Sequence, residues 1–420
     1  MRNYQAVIIG GGSAGLSAAV TLKKNGIEDI VVIEKDMEPG GILEQCIHNG
    51  FGLQTFKEQL SGPAYAERYV RMARELNVDI KLNTMVTKLT ADRHISYVNP
   101  SEGAVTVSAD AVILAVGCYE RARGAINITG TRPAGVYTAG QAQRYLNIEG
   151  YLVGKKVFIL GSGDIGLIMA RRMTLEGAEV LGVAEIMPYS NGLPRNIKQC
   201  LEDFGIPLYL SHTVTKTYGR DRLEGIDIAQ VGPDRNPIEG TTQHFDVDTL
   251  LLSVGLIPEN HLADEAGIRM DPVTRGPVVD DYYMTSADGI FACGNGLHVH
   301  DLVDFVSLQA ERAALGAVKY LQREGKARGN TIKVRPGEGV SYTVPACVHP
   351  EDPSGNVEFF FRVRKPMDEA VLEIRSGDKV LRTLKKRKLM PSEMERALIT
   401  EKEIAALREE VTIAVREVQA

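Results

Sequence analysis

Two stretches of the chain repeat one order of apolar and polar positions. AVIIGGGSAGLSAAVTLKKNGIEDIVVIEKD, residues 6–36, opens on an apolar block, passes through clustered glycines into a mostly apolar run closed by lysines, and ends on a second apolar block before an acid. That order predicts strand, tight turn, helix and strand. GKKVFILGSGDIGLIMARRMTLEGAEVLGVAEI, residues 154–186, predicts the same succession. SADAVILAVGCYERA (108–122) and DTLLLSVGLIPENHLADEAGI (248–268) each read as a buried strand ending in a glycine turn. Residues 276–321 read as a strand that passes Cys293 and Gly294 into a long helix, and 190–229 as helix, strand and hairpin. Beyond residue 330, VEFFFRVRKP, EAVLEIRSGD and KVLRTLKKRK predict short strands. Two helices are expected after them, opened by capping boxes at Ser392 with Glu395 and Thr400 with Glu403. The fold class is α/β: a Rossmann-like domain (1–122 and 256–325), a second one inserted at 123–255, and a small C-terminal α+β module at 331–420.

The glycines carry the first chemistry. Gly10, Gly12 and Gly15 are spaced GxGxxG: the first permits the turn, the second lets backbone approach a pyrophosphate, and the third allows the helix to pack closely on the strand. The helix amino terminus then meets the phosphate charge. Glu34 ends the second strand 19 residues after Gly15, where a carboxylate accepts hydrogen bonds from ribose hydroxyls. Gly161, Gly163 and Gly166 repeat the spacing, and Glu185 again follows the last glycine by 19 residues. A glycine-rich turn in some other α/β protein would leave Glu34 without a role. An acid at Glu185 repels a 2′-phosphate, which favours NAD(H) over NADP.

Composition narrows the rest. A net charge of −6 over 420 residues, with no long basic face, argues against nucleic acid as a partner. The run Lys385, Lys386, Arg387 and Lys388 reads as a solvated strand end. No apolar run reaches the roughly 18 residues of a membrane span, and the first strand begins too early for a signal peptide, so a cytoplasmic protein is expected. The five cysteines, Cys46, Cys118, Cys200, Cys293 and Cys347, show no CxxC or CxxxxC spacing, which argues against a disulfide framework, a zinc site or an iron–sulfur cluster. The HVHD stretch (His298, His300, Asp301, with Asp304 beyond) is expected to cap the long helix and line a pocket, so no metal is expected. His349 before Pro350 reads as a loop residue, and Cys200 as core.

With these pieces in order, residues 4–325 resemble the two-dinucleotide-binding flavoproteins, the superfamily that contains the pyridine nucleotide-disulfide oxidoreductases. The resemblance implies FAD in the first unit and the segment TSADGIFACGN, and NAD(H) in the second. Carried over by position, Gly10, Gly12, Ser13, Ala14 and Gly15 would meet the FAD pyrophosphate, and Glu34 with Lys35 its ribose. Gly41 and Gly117 would line the cofactor, Val86 would meet the adenine, and Gly294 and Asn295 would lie along the ribityl chain. Asn295 departs from the usual Asp, which keeps hydrogen bonding but removes a charge. Gly161, Gly163, Asp164, Ile165, Gly166, Glu185 and Gly255 would hold the nicotinamide nucleotide. The implied reaction is hydride exchange between NAD(H) and flavin N5, with the helix beginning near Asp301, and His298 or His300, aiding the flavin edge.

Disulfide reductases of this superfamily carry CxxxxC after the glycine pair that follows the ribose acid. Here GGILEQCIHNGFGLQTF, residues 40–56, holds Cys46 alone, which excludes dithiol chemistry at that position. Two readings of Cys46 stay open: a lone thiol cycling through sulfenate or mixed disulfide, as in NADH peroxidase and coenzyme A disulfide reductase relatives, or a small residue packed beside the flavin. QCIHNGFGL is similar to the FAD- and NAD-binding subunits of hetero-oligomeric amine and amino-acid dehydrogenases and to companions of glycerol-3-phosphate dehydrogenase. That branch implies a second flavoprotein dehydrogenase subunit as partner, and it leaves room for an oligomer. Against electron transfer stand two further expectations, the single-thiol peroxidase or disulfide reductase and a non-catalytic redox-sensing subunit.

Overall fold

Residues 1–323 and 329–418 are described by a computed structural model. The domain boundary expected at 325 and the last two residues of the expected C-terminal module lie outside them. The described chain divides into two compact units, one built from residues 1–118 and 258–420, the other from 119–257.

In the first unit, the apolar block Asn3–Ile9 forms a strand with parallel neighbours on both sides: Ile30–Ile33, which in turn pairs with Asp79–Lys81, and the long strand Gly103–Leu114. Ile290–Ala292 joins the far edge of Gly103–Leu114, also in parallel. Ala6, Val7, Ile8, Val31, Val32, Val112 and Ile113 are fully buried, as near-continuous apolar runs must be when helices cover both faces of a parallel sheet. Each such Val or Ile contributes about 1.5–3 kcal/mol by leaving water. The front half of Gly103–Leu114 instead pairs antiparallel with His94–Asn99, which pairs with Met85–Leu89. The helices Ser13–Lys24 and Val303–Gln322 pack on each other, pinned where the buried Ser17 hydroxyl donates to Ser307 O at 2.8 Å.

The second unit centres on five parallel strands in the order Val136–Thr138, Thr249–Leu252, Lys156–Leu160, Glu179–Glu185 and Leu208–Leu210. The expected helix, strand and hairpin of residues 190–229 form: Pro194–Cys200 is helical, and His212–Tyr218 pairs antiparallel with Gly225–Gln230. Cys200 is buried in this unit's core.

The C-terminal residues belong to the first unit and are mostly β. One sheet runs Cys347–Val348, Ile332–Pro336, Val411–Glu417, Met367–Ser376 and Lys379–Leu389; the other runs Val340–Val344, Val357–Val363 and Glu395–Ile399. Phe359, Phe361, Leu372, Ile374 and Ile413 share one buried core between them. The helix expected at Thr400 forms as the short Glu401–Ala405 with its capping box complete. The helix expected after Ser392 does not form, because Glu395–Ile399 pairs antiparallel with Val357–Phe361 and Glu395 meets Lys386 of the other sheet at 2.7 Å. Val411–Glu417 is likewise a strand: V-T-I-A-V is rich in β-branched residues, and a sheet edge was available on each side.

Candidate cofactor sites

In the first unit the loop between Ile9 and Ser13 is shaped by what its glycines lack. A Cβ on Gly10, whose φ is +106°, would fall 2.4 Å from Ala115 O; one on Gly15 would fall 1.8 Å from Gly10 O. A Cβ on Gly12 would meet only Gly41 Cα, at 3.9 Å, so the backbone there is open to a close approach. Gly12 caps the helix Ser13–Lys24 without a side-chain bond, and the first turn carries no acid, so its positive end is unopposed. Glu34 is buried, and its carboxylate accepts from Gly11 N at 2.6 Å and from Asp36 N at 2.8 Å. Lys35 beside it is exposed. Gly40 N donates to Gly11 O, which brings Gly41 against Gly12. Val86 is buried on Met85–Leu89, and Thr84 N donates to Glu34 O.

Across the strand ends, Gly117 has a φ of +74° with nothing near its missing Cβ. Gly294 opens a 3₁₀ turn at φ +66°, and a Cβ there would lie 2.9 Å from that of Ala14. Its N–H donates to Gln309 Oε1 at 2.8 Å. Asn295 Oδ1 accepts from His300 N at 3.0 Å, while its amide nitrogen lies 3.7 Å from Cys118 Sγ.

The second loop repeats this plan. A Cβ on Gly161 would lie 2.1 Å from Ser253 O and one on Gly166 2.7 Å from Gly161 O. Buried Glu185 accepts from Ser162 N at 3.0 Å, from Ser162 Oγ at 2.6 Å and from Met187 N at 2.9 Å. Two things differ. Gly163 caps a helix, Asp164–Leu175, whose first turn holds an acid. That Asp164 accepts from Leu193 N at 2.8 Å and Asn196 Nδ2 at 2.7 Å, while Asn191 N donates to Ser162 Oγ, so residues 190–193 are laid over the loop. Ile165 follows on the same turn, half-buried, and Gly255 takes a φ of +106°.

Cys46 ends the 3₁₀ turn Gly41–Gln45, with Sγ 3.3 Å from Ile42 O. Burial pushes its thiol up to about 12, so at neutral pH it is protonated and a poor nucleophile. His48 turns to Asn49 O at 3.2 Å and stacks near Phe51.

The HVHD stretch differs from expectation. The helix starts at Val303 with no side-chain cap. Asp304 accepts instead from Gly52, Gln54 and Thr55 N–H groups, and Asp301 pairs with Arg362 and accepts from Met394 N. His298 and His300 lie 1% and 8% exposed, under Phe360 and Tyr342 of the C-terminal sheet. Burial, then neighbouring positive groups, holds His298 well below the usual histidine range; His300 is lowered to about 4 by burial and Arg362, against a hydrogen bond with Gln309. Neutral, covered rings are poor acids or bases.

His349 is not a simple loop residue. Its Nδ1 lies 2.6 Å from Asp281 Oδ1, and it groups with Asp280 in ligand-like proximity. The carboxylates are already engaged by protein, Asp280 with Tyr282 N and Met284 N, Asp281 also with Ser354 N, so the group reads as a latch between the residues 280–284 turn and the C-terminal sheets. Gln309, Arg362, Ser162 and Ser253 went unnoticed in the sequence. Only Gln309 left a signal, a polar residue in register with the apolar face of Val306, Ala310, Ala313 and Ala317.

Two Rossmann-type loops, each closed by a buried carboxylate, define a flavoprotein with a pyridine nucleotide unit. The pyridine nucleotide-disulphide oxidoreductase family model matches residues 4–311, and the chain belongs to that family. It is an FAD-dependent NAD(P)H oxidoreductase. Its relatives include hydrogen cyanide synthase subunit HcnB of Pseudomonas protegens, 23% identical over 329 residues, 74% of this chain and 67% of that one. NADH oxidase of Methanocaldococcus jannaschii is 28% identical over 348 residues, 78% of this chain and 70% of that one. Thioredoxin reductase of T. acidophilum shares the fold, with a TM-score of 0.61 and 23% identity over 76% of this chain and 99% of that one. No helix among the described residues is long and apolar enough to cross a membrane.

Proposed function

We propose that this chain is an electron-transferring subunit: it holds FAD in the first unit, takes hydride from NADH bound by the second, and passes electrons to a second flavoprotein dehydrogenase subunit. The observation that carries this reading is that Cys46 stands alone in residues 40–56, half-buried with Sγ 3.3 Å from Ile42 O, which supplies no dithiol and leaves the flavin as the two-electron centre. FAD, when bound, supplies the acceptor for a hydride from nicotinamide. The chain's own residues bind and orient. Gly10, Gly12, Ser13, Ala14 and Gly15 would take the pyrophosphate on an uncapped helix end, Glu34 with Lys35 the ribose, Val86 the adenine, and Gly41, Gly117, Gly294 and Asn295 the remaining length. Gly161, Gly163, Asp164, Ile165, Gly166 and Gly255 would hold the nucleotide, and the carboxylate of Glu185 favours NADH over NADPH. That a relative is itself named as a subunit supports the partner.

Anaerobic titration with NADH tests this. One hydride equivalent per FAD is expected to complete bleaching. A first equivalent consumed before the flavin responds would instead make Cys46 a redox centre, and an unresponsive flavin would end both enzymatic readings.

A further inference from the structure

Buried polar atoms without a protein partner are rare in native interiors, and two sit on neighbouring histidines just ahead of the Val303–Gln322 helix. Nδ1 of His298 and Nδ1 of His300 are covered and make no hydrogen bond. Each ring's other nitrogen meets Gln309. The directions follow from one fixed donor: Gly294 N–H can only donate, so the Gln309 atom 2.8 Å away is its amide oxygen. That oxygen also lies 3.0 Å from His300 Nε2, which must carry a proton, leaving Nδ1 of the neutral ring a bare acceptor. The Gln309 amide nitrogen lies 2.7 Å from His298 Nε2 and has only protons to give, so His298 carries its own proton on Nδ1. Two rings whose centroids are 4.3 Å apart are thus held in opposite tautomers. The orphan atoms are one donor and one acceptor.

We propose that Gln309 sets these tautomers and is the positioning residue of the Gly294–Asn295 turn. The two nitrogens are covered by protein atoms alone, which places them inside the fold rather than on an open cofactor groove. The rings are neutral in this setting: the charged neighbour Arg362 is paired with Asp301, and Phe360 and Tyr342 supply the other walls. Gln309 also fixes Gly294 at its left-handed φ, while the His300 amide holds Asn295. The functional consequence rests on reading this turn as part of the FAD site; the tautomers do not.

The test uses deuterated FAD-loaded protein with ¹⁵N-labelled histidine, and long-range ¹H–¹⁵N spectra from pH 5.5 to 8. His298→Asn and His300→Asn assign the two signals among the eight histidines. The expected result is one Nδ1–H ring and one Nε2–H ring, neither titrating. In Gln309→Glu the carboxylate cannot donate, and the His298 proton is expected to move to Nε2. Matching tautomers in the wild type, or a charged ring at pH 7, overturn the proposal. For Gln309→Leu, FAD is expected to bind about tenfold more weakly, with affinity restored in Gln309→Glu. Unchanged FAD affinity in Gln309→Leu overturns the positioning role and leaves the NADH titration outcome standing. Should Gln309→Leu fail to fold, the wild-type and Gln309→Glu spectra still decide.

Discussion

The two glycine loops are built alike and finished differently. In both, a buried carboxylate at the end of the second strand ties down the loop and the residue two beyond itself: Glu34 with Gly11 and Asp36, Glu185 with Ser162 and Met187. Both need their glycines because a Cβ would strike backbone oxygen. The first helix end is left bare, whereas the second carries Asp164, which neutralises part of the helix dipole and ties residues 191–196 across the loop. A bare, rigid anion site suits a cofactor that stays; a self-satisfied one suits a nucleotide that must come and go. Identical motif spacing therefore carries two different helix ends, and the residue after the middle glycine, Ser13 or Asp164, separates them.

That contrast breaks most visibly at the third glycine. Gly15→Ala is expected to abolish FAD retention, seen as loss of flavin absorbance in the purified protein, since its Cβ would lie 1.8 Å from Gly10 O. Gly166→Ala is expected to raise the KM for NADH while the flavin stays bound. If both variants kept full flavin and ordinary KM, the loops would not be the cofactor sites. Acid should separate the two units next. Both histidines have depressed pKa values in the fold; for His300 the unfolded chain binds more protons between about 4 and 6.5, so stability present above 6.5 is lost as pH falls. For His300 alone this amounts to about 2 kcal/mol at pH 5. Urea unfolding at pH 5 and 7, with flavin fluorescence and nucleotide binding followed separately, should show the first unit failing first.

Glu185→Gln should raise the NADPH-to-NADH ratio of kcat/KM about tenfold by removing the charge that opposes a 2′-phosphate; no change in that ratio would free Glu185 from any role in nucleotide choice. Swapping the distinguishing residue sharpens the comparison further. Asp164→Asn keeps an oxygen for Leu193 and Asn196 and removes only the charge, so NADH should bind about two- to fivefold more tightly, in line with the ~0.3–1 kcal/mol of a charge at a helix end. Ser13→Asp should weaken FAD by a similar factor in a fluorescence titration. The smallest effect belongs to Cys46→Ser, expected within about twofold of wild-type NADH oxidation at pH 7 because a thiol raised to about 12 is already neutral.

Much of the cofactor architecture was legible because it depends on local backbone. A glycine needed for a turn, and an acid 19 residues after it at a strand end, are set by spacing within one strand–turn–helix–strand unit. The C-terminal region was less legible. The Ser392 box was read as the start of a helix because its local signal is short, and what decided it was a sheet edge contributed by Val357–Val363, far back in the chain. His298 and His300 looked like pocket residues from their place before a long helix, yet Phe360, Tyr342 and Arg362, more than forty residues on, cover them.

The sequence by itself determined the two glycine loops, the order of their strands and helices, and the absence of a second cysteine near Cys46, since each rests on short-range covalent spacing. Only the tertiary structure decided the surroundings of Cys46, the contacts of Gln309 with His298 and His300, and the laying of residues 190–193 over the second loop. Those depend on which distant atoms exclude water or supply a single hydrogen bond, and no periodicity along the chain records that.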